Sequence, residues 1–405
     1  MHGAFTVSAL KRPQVLIGLL IALIVISGIA GYFAGTTTTP PAEVRTVTVT
    51  LPGEVRTVTV TITPAPEPTK VYRWRLVTHL ATGERRAEAI HYFARLVREL
   101  SGGRLIIEVY GGGELFPVIE TYTQLARGTI EAAATYTGYW AGMYSVMALL
   151  GAIPWPVTEP HGLWHYLEKV RPIAEKFFRE ELGLVYIGPL TLATAESLMC
   201  RIPITSVREL AGRIVRSSGI GLRVYELLGA KAITLPVGEI YTALQLGTVD
   251  CAEWNDYVTN YVLGFHEVAK YVLDPPPGMT IHTGVFLDNP LVVNPKAWEE
   301  LPDDLKTVVR VAAQAAFFWS SYQFWGDQHV WGKELWIKAG NVIYTLPKED
   351  WELIKQAQIT ALAEQAMRDA VALEMVKAII EVARDLGYED WASALEQKLR
   401  EIGLI

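Results

Sequence analysis

The chain has 405 residues, 50% of them hydrophobic, and a formal net charge of −7. That length holds two or three domains, and an acidic balance with no basic stripe excludes a nucleic-acid partner. Twelve tryptophans and eighteen tyrosines exclude a disordered chain and point to large aromatic cores or pockets.

Gln14 to Ala34 is an almost unbroken apolar run, with no charge between Arg12 and Glu43. It is long enough to span a bilayer as a helix, which takes ~20 residues. Lys11 and Arg12 stand just before it, so the positive-inside rule puts the remaining chain outside the cell. A cleaved signal peptide is the rival, but its apolar core is normally only ~7–15 residues. The expectation is an uncleaved anchor over residues 1–35, without a following cysteine for lipid attachment. Residues 36–70 read as a stalk, with Thr36 to Thr39 in a row, Pro40-Pro41, Pro64, Pro66 and Pro68, and EVRTVTVT occurring twice. Such composition suits an extended spacer, or a small hairpin around Leu51-Pro52-Gly53.

Strands are expected at Tyr72–Val77 and Leu105–Tyr110. Between them runs a helix through His91, Phe93, Leu96 and Leu100 that stops at Ser101-Gly102-Gly103. A helix following Thr158-Glu159-Pro160 carries His161 and His165 on one face, half of a metal site with no third ligand at useful spacing. Leu184–Ile187 is a strand. Thr205-Ser206 caps a short helix ending near Gly212, and Arg213–Arg216 is the strand that follows. Arg216, at its end, is suited to hold a carboxylate by paired hydrogen bonds, or to form a surface ion pair. Val285–Val293 is a strand interrupted at Asp288-Asn289-Pro290. From Pro302 onward the chain reads as helices almost to its end, with Phe317, Phe318, Trp319, Tyr322, Phe324 and Trp325 as core.

The most informative stretch is Glu239 to Tyr257, EIYTALQLGTVDCAEWNDY. A helix with Gly247 as its stop leads into a short strand ending on Glu253, Trp254 and Asn255. Polar groups at the C-terminal edge of a strand in an α/β protein are where ligands bind, although a capping cluster with a core tryptophan has the same residues. The pattern recurs: Glu120, Tyr122-Thr123, Leu125, Gly128-Thr129 and Glu131 match Glu239, Tyr241-Thr242, Leu244, Gly247-Thr248 and Asp250 at one constant offset. Two similarly built α/β halves with a cleft between them are implied. The first copy is followed by Tyr139 and Trp140. Only Cys200 and Cys251 occur; outside the cell they can pair, but the sequence does not place them side by side. No P-loop, HExxH, GxSxG or supported carboxylate dyad is present, so no catalytic residue is assigned.

Leu210 to Arg216 (LAGRIVR), Leu228-Gly229-Ala230, Leu235-Pro236, Glu239 to Gln245 and Val249-Asp250, then VVNPKAW at Val292–Trp298, together resemble the solute-binding proteins of TRAP transporters, the DctP-like family. The resemblance runs from about Val71 to Leu305. Tyr139-Trp140-Ala141-Gly142, Ile153-Pro154-Trp155, Glu253-Trp254 and Leu263-Gly264-Phe265 are similar to the branch that binds 2-oxo acids and related monocarboxylates. It implies a two-lobed periplasmic-binding-protein-like α/β fold with a helical C-terminal region. Lobe 1 is then 71–193 with 282–322, and lobe 2 is 194–281 with 323–405. It implies that Arg216 grips the ligand's carboxylate, that Trp254, Tyr139, Trp140, Glu196 and Asn255 line the site, and that Glu253-Trp254 helps hold a sodium or calcium ion. The branch has a glutamine where this chain has Ala195-Glu196. It also has a second acidic ligand after the Pro-Gly turn, where this chain offers Met279, Thr280 and His282. Glu196 and Asp288 are the expected replacements. Permease subunits are the implied membrane partner, the C-terminal helices an implied homodimer contact, and the alternatives are an extracellular sensor module or an organic-acid enzyme.

Overall fold

The computed structural model describes residues 43–51, 54–62 and 70–405, apart from 152, 194–195, 277–278, 283, 285 and 330. The chain divides into two units, Met1–Lys70 and Val71–Ile405. In the first, strand β1 (Glu43–Leu51) pairs antiparallel with β2 (Glu54–Ile62), Leu51 opposite Glu54. The doubled EVRTVTVT thus forms the hairpin that its Val-Thr alternation permits. Gln14–Ala34 lies outside the described residues. Among those described, no helix is long and apolar enough to cross a membrane.

The second unit contains two sheets. One is ordered β4 (Leu105–Tyr110), β3 (Tyr72–Thr78), β5 (Ala132–Ala134), β12 (Phe286–Val293) and β6 (Val185–Ala193). The other is ordered β13 (Val342–Thr345), β11 (Tyr271–Asp274), β7 (Leu198–Cys200), β10 (Cys251–Ala252), β8 (Ile214–Arg216) and β9 (Lys231–Ile233). In each, three parallel strands meet an antiparallel one contributed from elsewhere in the chain: β4-β3-β5 meets β12, and β9-β8-β10 meets β7. This is the internal repeat in three dimensions. Gly128 and Gly247 both sit at φ +75°, which a side chain would strain. Glu131 accepts the backbone N–H of Arg75 at 2.7 Å and Asp250 that of Ile214 at 3.0 Å, so each acid ties its own strand to the parallel neighbour.

Alternation along the first sheet sends Leu76, Ala132, Ala134, Leu291 and Val293 to one face, where the helices Ala87–Leu100 and Asp303–His329 bury Phe93, Val97, Leu305 and Val309. The other face, with Val77, Ala133 and Val292, packs on the helices Ser145–Leu150 and Pro160–Glu180, and these pack on the C-terminal helices Trp351–Ala366, Ala370–Asp385 and Glu389–Glu401. Arg223, on the helix Gly221–Leu227, pairs with Glu364 at 2.8 Å and links that array to the second sheet.

Three expectations are corrected or sharpened. The region after Pro302 is not helical throughout, because β13 interrupts it and pairs parallel with β11, covering what would be an open sheet edge. Four residues are too few for periodicity to show. Of the aromatic cluster, Phe317 is core, but Tyr322 is largely exposed and Trp319 stacks on Tyr92. Cys200 and Cys251 lie opposite one another in β7 and β10 and form a disulfide.

The chain passes from the first sheet to the second after β6, returns after β11, and leaves again through the helix Asp303–His329 towards β13. The first two crossovers carry Glu196 and His282, which join the candidate site.

Candidate functional site

Strands β8 and β10 are parallel neighbours, so Arg216, the last residue of β8, and Glu253, the first after β10, emerge together: the Glu253 N–H donates to the Arg216 carbonyl at 3.2 Å. The Arg216 guanidinium is fixed by two carbonyls, Nη1 donating to Glu253 O at 2.8 Å and Nε to Leu235 O at 3.1 Å. Its Nη2 has no hydrogen-bond partner among the described residues, although the side chain is only 1% exposed. A buried donor left unpaired costs roughly 1–3 kcal/mol, which makes this strand end a candidate binding position. Trp254 forms the adjoining wall, its ring centroid 4.9 Å from the Arg216 guanidinium carbon and 5.2 Å from that of Arg86.

Beside Arg216 three ionisable groups converge. His282 Nε2 is 3.5 Å from Glu196 Oε2 and 3.5 Å from Glu253 Oε2. Glu196, Glu253 and His282 are 4%, 2% and 2% exposed. Burial, and then the neighbouring Glu253, push the Glu196 carboxyl well above the usual carboxylate range. Burial opposes ionisation of Glu253 too, but His282, Glu196 and Arg216 outweigh it and hold this carboxyl below that range. Glu253 Oε1, 3.8 Å from Arg216 Nη1, has no hydrogen-bond partner among the described residues.

Residues from the loop after β3 complete the surroundings. Arg86 is buried and paired with Glu84, Nε to Oε1 at 3.0 Å. His79 Nδ1 accepts the Tyr136 N–H at 3.2 Å, and burial with the Arg86 charge lowers its pKa to about 3. None of these was singled out from sequence, although the rule that found Glu253 also covers the loop at the end of β3.

The other expected residues are dispersed. Tyr139 is half-buried, edge-on to His79 and Tyr136 at 5.7 and 5.3 Å, and lines a cavity of about 360 Å³ with Gly142, Ser218, Gly219 and Arg368. That cavity borders the strand end at Ser218 without including Arg216, so the chemistry resides in the buried cluster and the open space beside it. Trp140 is packed into the core, 4.6 Å from Tyr122. Asn255 is buried with its Nδ2 unpartnered among the described residues. Asp288 falls at a register shift in β12, and its side chain lies outside the described residues. Thr280 braces the crossover, donating to Trp155 O at 2.8 Å. His165 pairs with Asp385 on the surface at 3.1 Å.

Residues 77–369 match the family described as bacterial extracellular solute-binding protein, family 7 (DctP). A monocarboxylate 2-oxoacid-binding periplasmic protein of Nostoc sp. is 27% identical over 248 residues, a match spanning 60% of this chain and 66% of that relative. Two solved TRAP periplasmic solute-binding proteins share the fold. That of Pseudoalteromonas atlantica, with bound sodium and pyruvate, is 25% identical at a TM-score of 0.70, covering 82% of this chain and 99% of that one. That of Colwellia psychrerythraea, with bound calcium and pyruvate, is 24% identical at 0.70, with the same coverage.

Proposed function

This chain belongs to the bacterial extracellular solute-binding proteins of family 7, and from that premise we propose that it captures a small monocarboxylate of the 2-oxo acid type and hands it to TRAP permease subunits. It is a two-lobed α/β binding protein of the extracytoplasmic space, not an enzyme. The observation that carries the ligand class is the buried Nη2 of Arg216, beside Trp254 and without a hydrogen-bond partner among the described residues. A carboxylate entering there would be prohibitively costly without a cationic partner, and a guanidinium already immobilised on two carbonyls meets it with little further ordering. Trp254 gives the organic part an apolar wall, and Tyr139 shapes the entrance.

A cation beside the ligand fits the residues present: Glu253 offers a buried carboxylate oxygen with no hydrogen-bond partner among the described residues, and Glu196 a second carboxylate within the same cluster. Those two would hold it, and it would supply a second positive charge toward the ligand's oxygens. Lobe closure on the acid would then select the conformation that the permease reads. The same reading takes residues 1–35 as the membrane anchor, residues 36–70 as the stalk, lobe 1 as 71–193 with 282–322, lobe 2 as 194–281 with 323–405, and the C-terminal helices as a dimer contact visible as a doubled mass in light scattering.

Mass spectrometry of whatever is released from the purified protein identifies the acid, and calorimetry with that acid or pyruvate measures it. Arg216→Ala is expected to weaken binding by roughly 100-fold or more, about 2.7 kcal/mol, with circular dichroism unchanged. Arg216→Lys should recover only part, since an ammonium cannot reproduce the planar fork. Equal affinity in wild type and both variants would remove Arg216 from its role.

A further inference from the structure

Solved neighbours hold sodium or calcium, ions that take oxygen ligands, ~6–8 of them around calcium. In this chain an imidazole nitrogen, His282 Nε2, stands with the two carboxylates. We propose that Glu196, Glu253 and His282 form a mixed nitrogen-oxygen site that favours a borderline divalent transition ion, of the zinc or cobalt class, with His282 Nε2 as the nitrogen ligand. This rests on the reading that a cation accompanies the carboxylate and assigns its class.

The geometry is that of three ligands around one centre. The two contacts of Nε2 are each 3.5 Å, and one ligand atom from each residue lies within 4.8 Å of the others. An ion ~2.1 Å from tetrahedrally placed ligands keeps them about 3.4 Å apart. Distances alone do not choose the ion, because a small hard cation is compatible with similar spacing. The nitrogen does: imidazole suits zinc, copper, iron and nickel, whereas magnesium, calcium and manganese prefer carboxylate, carbonyl and water.

His282 is also built into place. Its other nitrogen, Nδ1, is 3.3 Å from the Tyr225 hydroxyl, the partner that a metal-bound imidazole requires to orient its ring and fix its tautomer. Gly221 makes room for the ring, since a Cβ there would stand 2.6 Å from His282 Cδ2. A separate observation points to a ligand at the same spot: Glu253 Oε1 is buried and lacks a hydrogen-bond partner among the described residues, and so does Arg216 Nη2. With three protein ligands, a tetrahedral ion keeps one position open for a further ligand. Glu196 precedes β7 on the first crossover, His282 precedes β12 on the second, and Glu253 directly follows β10. An ion held by all three ties both crossovers to the binding strand, so its occupancy would favour one lobe arrangement.

The test uses metal-stripped protein and each metal alone: zinc, cobalt and calcium are titrated in turn by calorimetry into wild type, His282→Gln and His282→Glu. Zinc binds more tightly than calcium at most sites, so the decisive quantity is the change on substitution. Expected are a zinc affinity roughly 100-fold lower in His282→Gln and a calcium affinity altered by less than about threefold. His282→Glu, which restores oxygen donors only, should gain calcium affinity. Cobalt-loaded wild type should show a visible absorption band that His282→Gln loses. Thermal unfolding without metal checks the fold of each variant, and the zinc affinity of His282→Gln decides by itself if His282→Glu does not fold. Equal zinc affinity in wild type and His282→Gln, or no zinc or cobalt binding by wild type, overturns the assignment. Pyruvate binding that needs calcium and ignores His282→Gln would sink this inference while leaving the proposed function standing. His282-dependent zinc binding in a protein that takes no organic acid would do the reverse.

Discussion

Arg216 and Glu253-Trp254 were readable as single residues because strand ends in α/β proteins gather polar groups, and both occupy such ends. A carboxylate-holding role for Arg216 was already expected; the fold adds that two of its nitrogens donate to carbonyls while Nη2 has no hydrogen-bond partner among the described residues. His79, Glu84 and Arg86 were missed because a short loop carries no periodicity; all three are buried, and Arg86 stands over the Trp254 ring. His79 gives a prediction at this scale. Its folded pKa near 3 lies below the ordinary 6.5, so the unfolded chain takes up a proton first as pH falls. The stability it contributes is complete above about pH 6.5 and is lost as pH falls towards 3, on the order of 4–5 kcal/mol in all. Urea denaturation at pH 7 and pH 4 should show His79→Gln losing less stability across that interval than wild type, with the Glu84–Arg86 pair beside it unchanged. Parallel losses in the two proteins would contradict the assignment.

At the scale of elements the helix–glycine–strand repeat was the strongest sequence signal, and it survives as matched backbone geometry at Gly128 and Gly247 and matched acid-to-strand hydrogen bonds from Glu131 and Asp250. Spacing carries such a unit because each part is local. The disulfide could not be read in this way, since it depends on β7 returning antiparallel beside β10 after the chain has changed sheets. Its position has a consequence. Glu196 lies four residues before Cys200 and Glu253 two after Cys251, so the crosslink fixes the separation of the two carboxylates. Replacing both cysteines by alanine should cost about 2–4 kcal/mol of stability. Acid binding should weaken by about tenfold in the same variant, as measured by calorimetry, because strand slippage of even ~1 Å spoils a preorganised site. Full affinity in a destabilised variant would confine the disulfide to folding.

On the scale of the whole molecule, two sheets joined by crossovers form a two-lobed binding-protein fold, and closure about those crossovers is the proposed motion. Closure predicts that the radius of gyration in small-angle scattering falls when the acid is added and does not fall for Arg216→Ala. A ligand-independent radius in wild type would argue for a rigid cleft. Anchoring is a separate expectation: if residues 1–35 remain attached, N-terminal sequencing of protein from the membrane fraction begins before Gln14, and a start after Ala34 would indicate cleavage instead.

The sequence by itself determined the apolar N-terminal run, the duplicated α/β unit, the family and the arginine and Glu-Trp at its strand ends. All of these are local patterns or fixed spacings along the chain. Tertiary structure alone decided that Cys200 meets Cys251, that β13 closes a sheet edge late in a helical region, and that His282 stands with Glu196 and Glu253. Those pairings join distant segments, 51 residues apart in the case of the cysteines, through crossovers between two sheets. No periodicity along a chain encodes which distant side chains a change of sheet will bring within a few ångströms.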